Sequence, residues 1–145
     1  MEKNFVRVRS IKDIAISLSL IIIGCLLVSI PSADSLNILG FFIVITGLLL
    51  AFILKTAHKD SDTGEKFTKK ERYFGNEMHD KLRSALACPT SLDPNLENHG
   101  SSLRLDIYYS KSKVYVQLFE YIPYKYEPCS DMHEHSLEKA NKLIG

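Results

Sequence analysis

The sequence predicts an α+β membrane protein, in which a two-helix transmembrane hairpin precedes a small cytoplasmic domain of the order helix, β-hairpin, helix. Two long apolar runs, residues 14–30 and 38–54, fill most of the first third of the chain. Two runs of alternating apolar and polar residues follow between residues 102 and 121, the pattern of strands with one buried face. Lysine and arginine flank the apolar runs but are absent between them. These three observations carry the predicted architecture.

The two apolar runs have the length and composition of membrane-spanning helices. At a rise of about 1.5 Å per residue, each run covers most of a hydrocarbon core of about 30 Å. A soluble chain of 145 residues has too little polypeptide to cover two helices that are apolar on every side. The alternatives are a cleaved secretory signal and a lipoprotein signal acylated at Cys25. Both are disfavoured, because the first run is longer than a usual signal core and the residues after Cys25 stay apolar.

The distribution of basic residues predicts the orientation of the hairpin, residues 13–55. The connecting loop, residues 31–37, contains no lysine or arginine, whereas residues 1–12 and the chain after the hairpin are basic. Short basic flanks stay on the cytoplasmic side of a membrane. We therefore expect an external loop and cytoplasmic N and C termini, in a bacterial inner membrane. The basic residues predicted to lie at the membrane surface are Arg7, Arg9, Lys12, Lys55, Lys59, Lys69, Lys70 and Arg72.

Small residues recur at helical spacing inside both apolar runs. Helices in lipid associate through such residues, because small side chains let two backbones approach closely. No charged side chain lies in the middle of either run, where a transport pathway would need one. We therefore predict that the bilayer is one partner of the chain and that transport is not its function. The predicted packing residues are Ser17, Gly24, Gly40, Gly47 and Ala51.

The rest of the chain predicts a linker and one small domain. Thr68 and Glu71 have the spacing of a capping box, and apolar residues recur at helical spacing behind them, up to the break before Pro89. Asp131 and Glu134 repeat the capping-box spacing near the C terminus. A loop is expected over residues 89–101, and residues 121–127 either extend the sheet or fold over it. The predicted elements are a linker over 56–66 and a domain over 67–145, with helix 68–87, strands 102–109 and 113–121, and helix 131–144.

An aromatic face of the predicted β-hairpin is the candidate interaction surface. A two-stranded sheet is barely stable alone, and helices packed on one face would leave the other face open. Contiguous exposed aromatic side chains usually mark a contact surface. We therefore expect a protein partner, a second copy of the chain, or the membrane at this face. The alternative, that residues 121–126 fold back over it, stays open. The predicted surface consists of Tyr108, Tyr115, Phe119 and Tyr121.

The sequence offers few candidates for chemistry. Cys129, His133 and His135 are the nearest approach to a metal site, but on a helix the two histidines would point apart. His79 and Asp80 are sequence neighbours on a predicted helix and would diverge there. There is no glycine-rich phosphate loop or nucleophile elbow, and with three cysteines we expect reduced thiols.

These observations predict a function in binding rather than in catalysis. The net charge of +1 and the absence of a basic stripe argue against nucleic-acid binding, and no cofactor or small-molecule ligand is expected. We expect a non-enzymatic accessory or scaffold protein that anchors an interaction domain to the membrane. The alternatives are an immunity-type protein that protects the membrane against a toxin, and a membrane-tethered enzyme that uses Cys129 with His133.

Overall fold

The computed structural model describes residues 3–91 and 100–144 and divides into two compact units. The hairpin unit is Arg7–Ala57, and the sheet unit combines Met1–Val6 with His58–Gly145. Residues 92–99 of the predicted loop lie outside the described residues. The chain is therefore α+β, with two apolar helices near the N terminus and a β-sheet.

The hairpin unit contains two long helices, α1 (Ile11–Val28) and α2 (Asp34–Ile53), packed against each other. Ser10 caps α1: its hydroxyl accepts from the Asp13 amide at 3.1 Å, and the Asp13 carboxylate accepts from the Ser10 amide at 2.8 Å. Ser32, at a φ of 63°, turns the chain between the helices. Both helices begin earlier than predicted, because their polar first turns are helical as well.

In its described residues, the sheet unit contains seven strands and two α-helices. The strand order is β1-β2-β3-β4-β5-β6, and β7 also pairs with β5. Two short 3₁₀ turns, Asn76–Met78 and Pro89–Ser91, flank the first of the two helices. The strands are β1 (Phe5–Val8), β2 (Ala57–Asp60), β3 (Lys66–Phe74), β4 (Leu103–Tyr109), β5 (Lys113–Ile122), β6 (Lys125–Pro128) and β7 (His133–Ser136), and the helices are α3 (His79–Ala87) and α4 (Leu137–Ile144).

The core of the sheet unit lies between one face of the sheet and the two helices. The antiparallel register pairs Leu105 with Leu118 and Ile107 with Val116, so these side chains share that face. Helix α3 contacts β5, and α4 contacts β4 and β5. The predicted antiparallel pairing of β4 with β5 is therefore observed. The buried side chains of the core are Phe74, Leu82, Ala85, Leu86, Leu103, Leu105, Ile107, Val114, Val116, Leu118, Ala140 and Leu143.

The prediction of a helix over residues 68–87 is wrong in its first half. Strand β3 occupies Lys66–Phe74, and only His79–Ala87 is α-helical. Thr68 lies in the ladder opposite Tyr109 and caps no helix. Pairing with β4 determines the outcome, because that ladder satisfies the backbone of β3 while Phe67 and Phe74 are buried.

The prediction of a helix over residues 131–144 is also wrong in its first half. His133–Ser136 forms β7, in which Glu134 lies opposite Tyr115 of β5. The Glu134 carboxylate accepts from the Lys113 ammonium at 2.9 Å, so a cross-strand pair takes the place of the expected capping box. Only Leu137–Ile144 is helical.

Two shorter segments also differ from their predicted form, and a third decides between two open alternatives. Residues 1–12 contain β1, and the expected linker over 56–66 contains β2 and a turn that ends at Gly64, with a φ of +75°. The alternative left open for residues 121–127 is resolved in favour of a further strand, because Tyr121 pairs with Tyr126 across β5 and β6. Strands β1 and β2 pair with each other although the hairpin separates them in sequence, which a local pattern does not reveal, whereas β6 pairs with the adjacent β5.

Candidate functional site

The face of the sheet opposite α3 and α4, here called the outer face, carries aromatic and charged side chains. The register places Lys69 opposite Tyr108, and Tyr108 opposite Tyr115. Glu71 lies opposite Asp106 in the same way, and Asp106 opposite Gln117. The outer face consists of Phe67, Lys69, Glu71, Tyr73, Arg104, Asp106, Tyr108, Tyr115, Gln117, Phe119, Tyr121 and Tyr126.

The N-terminal segment covers part of this outer face. The Phe5 ring stacks on Tyr108 with a centroid distance of 4.2 Å and contacts Phe67 and Tyr115 edge-on or tilted. Lys3 lies over the Tyr115 ring and pairs with Asp60 at 3.0 Å. Tyr115 is consequently only 4% exposed, and burial raises its pKa. The expected exposure of Tyr115 is wrong, because a strand that precedes the hairpin in sequence covers it.

A cluster of charges occupies the centre of the outer face. Asp106, only 2% exposed, lies 2.9 Å from the Lys69 ammonium and 2.8 Å from the Arg104 guanidinium. Burial disfavours the Lys69 cation, but its hydrogen bonds to Glu71 and Asp106 outweigh this and raise the pKa of Lys69. The hydrogen bond from Lys69 lowers the pKa of Glu71. Two cations and two carboxylates are thus paired in this cluster.

The other two predicted surface residues differ in accessibility. Phe119 is partly covered by the Arg104 guanidinium, which lies 4.7 Å from its ring centroid and 4.8 Å from that of Tyr126. Tyr121 packs edge-on against Tyr126 but remains 50% exposed. Of the four predicted residues, Tyr121 therefore presents the most accessible ring.

The turn between β5 and β6 extends this exposed surface. Ile122 and Tyr124 are exposed next to Tyr121, and Tyr124 is 97% exposed. Pro123 and Tyr124 form the turn, and Tyr124 adopts a φ of +79°. This conformation costs a residue with a side chain about 1 kcal/mol, and strained residues cluster at binding sites. We call Tyr121, Ile122 and Tyr124 the aromatic tip. The sequence signal for it was the Pro-Tyr pair between two strands.

The candidates for metal binding and thiol chemistry have structural contacts. His133 and His135 lie on a strand rather than a helix, with parallel rings 6.3 Å apart, and His135 Nε2 lies 2.6 Å from the Leu86 carbonyl oxygen. The Cys129 thiol donates to the Leu118 carbonyl oxygen at 3.5 Å, and burial raises its pKa. A cleft of about 720 Å³ lies beside Cys129. Within residues 3–91 and 100–144, no three potential ligands are close enough to hold a metal ion.

The expected divergence of His79 and Asp80 on α3 is wrong, because their side chains meet at the surface of the helix. His79 Nδ1 lies 3.3 Å from the Asp80 carboxylate, which is fully exposed. Such an exposed pair contributes little to stability, and solvent screens its charge. We assign it no role in catalysis.

The small residues predicted to pack the hairpin lie where α1 and α2 meet most closely. A Cβ atom added to Gly24 would lie 2.7 Å from the Gly40 carbonyl oxygen, and one added to Gly47 would lie 2.9 Å from a side-chain carbon of Ile21. Ser17 is buried and donates to the Asp13 carbonyl oxygen. Ala51 is half-buried on α2. Close contact between backbones therefore holds the two helices together.

The eight basic residues predicted for the membrane surface fall into two groups. Arg7, Arg9, Lys12, Lys55 and Lys59 are exposed at the two ends of the chain that enter and leave the hairpin. The other three lie on β3, where they bind within the sheet unit. Lys69 contacts Asp106, Lys70 donates to the Ile144 carbonyl oxygen, and Arg72 donates to the Leu143 carbonyl oxygen at 3.1 Å.

Asp13 is a functional candidate that the sequence reasoning missed. It is buried at the start of α1, and its carboxylate accepts from the Ser10 amide, the Thr56 amide and the Thr56 hydroxyl at 2.8–2.9 Å. It thereby ties the first turn of α1 to the residues that follow α2. The Ser-x-x-Asp spacing of Ser10 and Asp13 was a sequence signal for it.

Similarity to known proteins does not assign this chain to a family. No protein-family model matches it, and no curated protein or solved structure matches it either. The function must therefore be argued from the geometry alone.

Proposed function

We propose that the chain is an integral membrane protein whose α1–α2 hairpin crosses the bilayer twice and anchors a non-enzymatic interaction domain. The observation that carries this proposal is the exposure of the hairpin. Both helices are long and apolar enough to span a membrane, yet only 17% of the α1 window and 11% of the α2 window are buried. Core helices of a soluble protein are mostly buried, and apolar surface of this extent requires lipid or a partner.

The segments of the chain that form the sheet unit support a membrane hairpin over a cleaved signal. Signal sequences also pass a test of length and hydropathy near an N terminus. Cleavage after α1, however, would remove Lys3 and Phe5, which contact Asp60 and Tyr108 in the sheet unit. The residues before and after the hairpin belong to one sheet, so in this proposal they lie on the same side of the membrane. The chain between them therefore crosses the membrane an even number of times.

The charges support cytoplasmic ends for the proposed hairpin. Arg7, Arg9 and Lys12 precede or begin α1, and Lys55 and Lys59 follow α2. The turn between the helices contains no lysine or arginine. By the positive-inside tendency the turn faces outward and both termini lie in the cytoplasm, and we propose a bacterial inner membrane.

The aromatic tip is the proposed contact surface for a protein partner. Its three large side chains are exposed together, and β6 ends the strand order, with no other described strand paired to its outer edge. Strand edges with neighbouring aromatic side chains are a common site of peptide recognition. The contacts of Cys129 and the paired charges around Asp106 favour binding over a thiol or acid–base reaction.

Membrane extraction followed by mass measurement tests the anchor. We expect the chain to stay in the membrane pellet through an alkaline carbonate wash and to have its full mass of 16.4 kDa. Recovery in the supernatant would contradict the anchor. A shortened mass that lacks α1 would show instead that this helix is a cleaved signal.

Site-specific photo-crosslinking tests the contact surface. A photoreactive residue at Tyr124 should give one discrete adduct in native membranes, whereas the same group at Lys111, in the exposed turn between β4 and β5, should not. Equal adducts at both positions, or none at Tyr124, would contradict the assignment of the aromatic tip.

A further inference from the structure

A cavity of about 180 Å³ opens in the side of the hairpin unit. It lies between the first turns of α1 and the last turns of α2. Leu18, Ile21, Leu50 and Leu54 make its wall apolar, and the small side chain of Ala51 leaves it room. Because Leu18 is more than half exposed, the cavity is continuous with the apolar outer surface of the helices.

One cation belongs to the wall of this cavity. Arg9 is exposed and forms no ion pair within residues 3–91 and 100–144, and its guanidinium lies 6.0 Å from the Phe52 ring centroid. Arg7, Lys12 and Lys55 are likewise exposed, without an ion pair to any described residue. Arg9 is thus the one cation in the cavity wall, and no described acidic side chain forms an ion pair with any of these four cations.

The carboxylate in the same wall, that of Asp13, already has hydrogen-bond donors. Asp13 accepts three hydrogen bonds, from the Ser10 amide and from the amide and hydroxyl of Thr56. With these donors the Asp13 carboxylate is satisfied without a ligand, and it ties Ser10 to Thr56. The wall thus offers an apolar slot, a buried carboxylate that is already hydrogen-bonded, and one exposed cation, Arg9.

We propose that this cavity holds one acyl chain of an anionic phospholipid, whose phosphate pairs with Arg9. The inference rests on the proposed membrane anchor, because only lipid around the hairpin would supply the acyl chain. Basic pockets between transmembrane helices on the cytoplasmic side bind anionic headgroups. A second copy of the chain fits the cavity less well, since it would bring a second Arg9 toward the first.

Native mass spectrometry of the full chain in mild detergent tests the site, with phosphatidylglycerol and phosphatidylcholine supplied in equal amounts. We expect one phosphatidylglycerol to be retained over phosphatidylcholine by about fivefold, the ratio expected for one cation at the headgroup level. Arg9→Gln should abolish the preference. Arg7→Gln is the matched control, because it removes the same charge from a residue outside the cavity wall, and it should keep the preference.

A second variant tests the apolar part of the site. Ala51→Leu fills the cavity without a change of charge, so it should reduce the retention of both lipids. Circular dichroism should show that its helical content is unchanged.

Three outcomes would overturn the inference. They are equal loss in Arg9→Gln and Arg7→Gln, retention of both lipids unaffected by Ala51→Leu, and no preference in the wild type. If such a result accompanies full-length protein in the carbonate-washed pellet, the lipid site fails and the membrane anchor stands. Release of the chain by the carbonate wash would overturn both.

Discussion

The hairpin unit and the sheet unit have side chains of opposite size at their internal contacts. In the sheet unit, large apolar side chains such as Leu118 and Ile107 point inward and are fully buried. In the hairpin unit, residues such as Leu49 and Phe52 point outward, and glycines form the contact between the helices. The two units therefore differ in where their large apolar side chains lie, which is inside the sheet unit and on the surface of the hairpin unit. Large buried side chains stabilise the sheet unit. In the hairpin unit, glycines, which have no side chain, let the two helices approach each other closely.

The largest expected effect is a difference in stability between two leucine-to-alanine variants, one in each unit. Leu118→Ala should destabilise the sheet unit by about 3 kcal/mol, because it leaves a cavity in a closed core. Leu49→Ala, at a position 55% exposed on α2, should change stability by less than about 0.5 kcal/mol in detergent. Chemical denaturation of the full chain, followed by near-ultraviolet circular dichroism, measures the difference for the sheet unit, since all tyrosines lie there.

Helical content measured in the same samples extends the comparison to the hairpin unit. A large loss of helix stability in Leu49→Ala would show that this side chain is buried against protein. That result would contradict the lipid-facing assignment of α2.

The next effect concerns glycine-to-alanine substitutions, which should cost more stability in the hairpin unit than in the sheet unit. A methyl group at Gly40 would lie 2.7 Å from the Gly24 carbonyl oxygen and 2.9 Å from the Val28 amide nitrogen, so Gly40→Ala forces the helices apart. We expect a cost of about 2 kcal/mol to the hairpin, measured as a lower midpoint for loss of helical signal in detergent. Gly75→Ala is the matched control in the sheet unit, because its nearest neighbours are atoms at the mobile end of Glu77. Equal effects in the two variants would contradict the close helix contact.

A pH effect is expected in the sheet unit. The amide hydrogen bond from Asp62, with help from Lys3 and Thr63, lowers the pKa of Asp60. A lowered folded-state pKa means that this stability is present above the ordinary value of 3.8 and is lost as the pH falls through the folded-state pKa. The tyrosine signal should therefore unfold more readily at pH 3 than at pH 7.

Asp60→Asn sharpens this test. The variant should be less stable than the wild type at pH 7 and should lose less stability on acidification. Asp62→Asn, with an exposed side chain, is the control and should keep the wild-type slope. An unchanged slope in Asp60→Asn would show that other carboxylates dominate the acid response.

The smallest expected effect concerns the aromatic tip. Tyr124→Gly relieves a side chain held at a φ of +79° and removes a ring that is 97% exposed, so stability should rise by about 0.5 kcal/mol or stay constant. For the binding test, a photoreactive residue replaces the neighbouring Ile122. The crosslink from this position to the proposed partner should nevertheless be lost when Tyr124→Gly is also present. A clear loss of stability would instead assign Tyr124 a structural role.

The parts of the fold that could be predicted are those with a signal confined to neighbouring residues. The apolar runs around Gly24 and Gly47 predicted both long helices, and the alternation from Leu103 to Tyr109 predicted its strand. The first half of the expected helix over 68–87 failed, because Lys69 bonds to Asp106 on another strand and no local pattern carries that information. Strands β1 and β2 were missed for the same reason, since each is four residues long and pairs across the hairpin.

The candidate site followed the same division. The aromatic character of the outer face was evident from Tyr108 and Tyr115, but its accessibility was not, because Phe5 covers both rings from a part of the chain that precedes the hairpin. Tyr124 was passed over because its exposure depends on the turn geometry. Asp13 was excluded because the first span was predicted to start at residue 14, three residues after the observed start of α1.

Thiol labelling in cells tests the central claim most directly, in a chain whose Cys25, Cys88 and Cys129 are replaced by alanine. Single cysteines are introduced by Ser35→Cys, at the start of α2, and Asp62→Cys, in the exposed turn after β2. A membrane-impermeant maleimide should label the first in intact cells and the second only after permeabilisation. Labelling of both positions only after permeabilisation would place the two ends of α2 on the same side of the membrane and contradict the account.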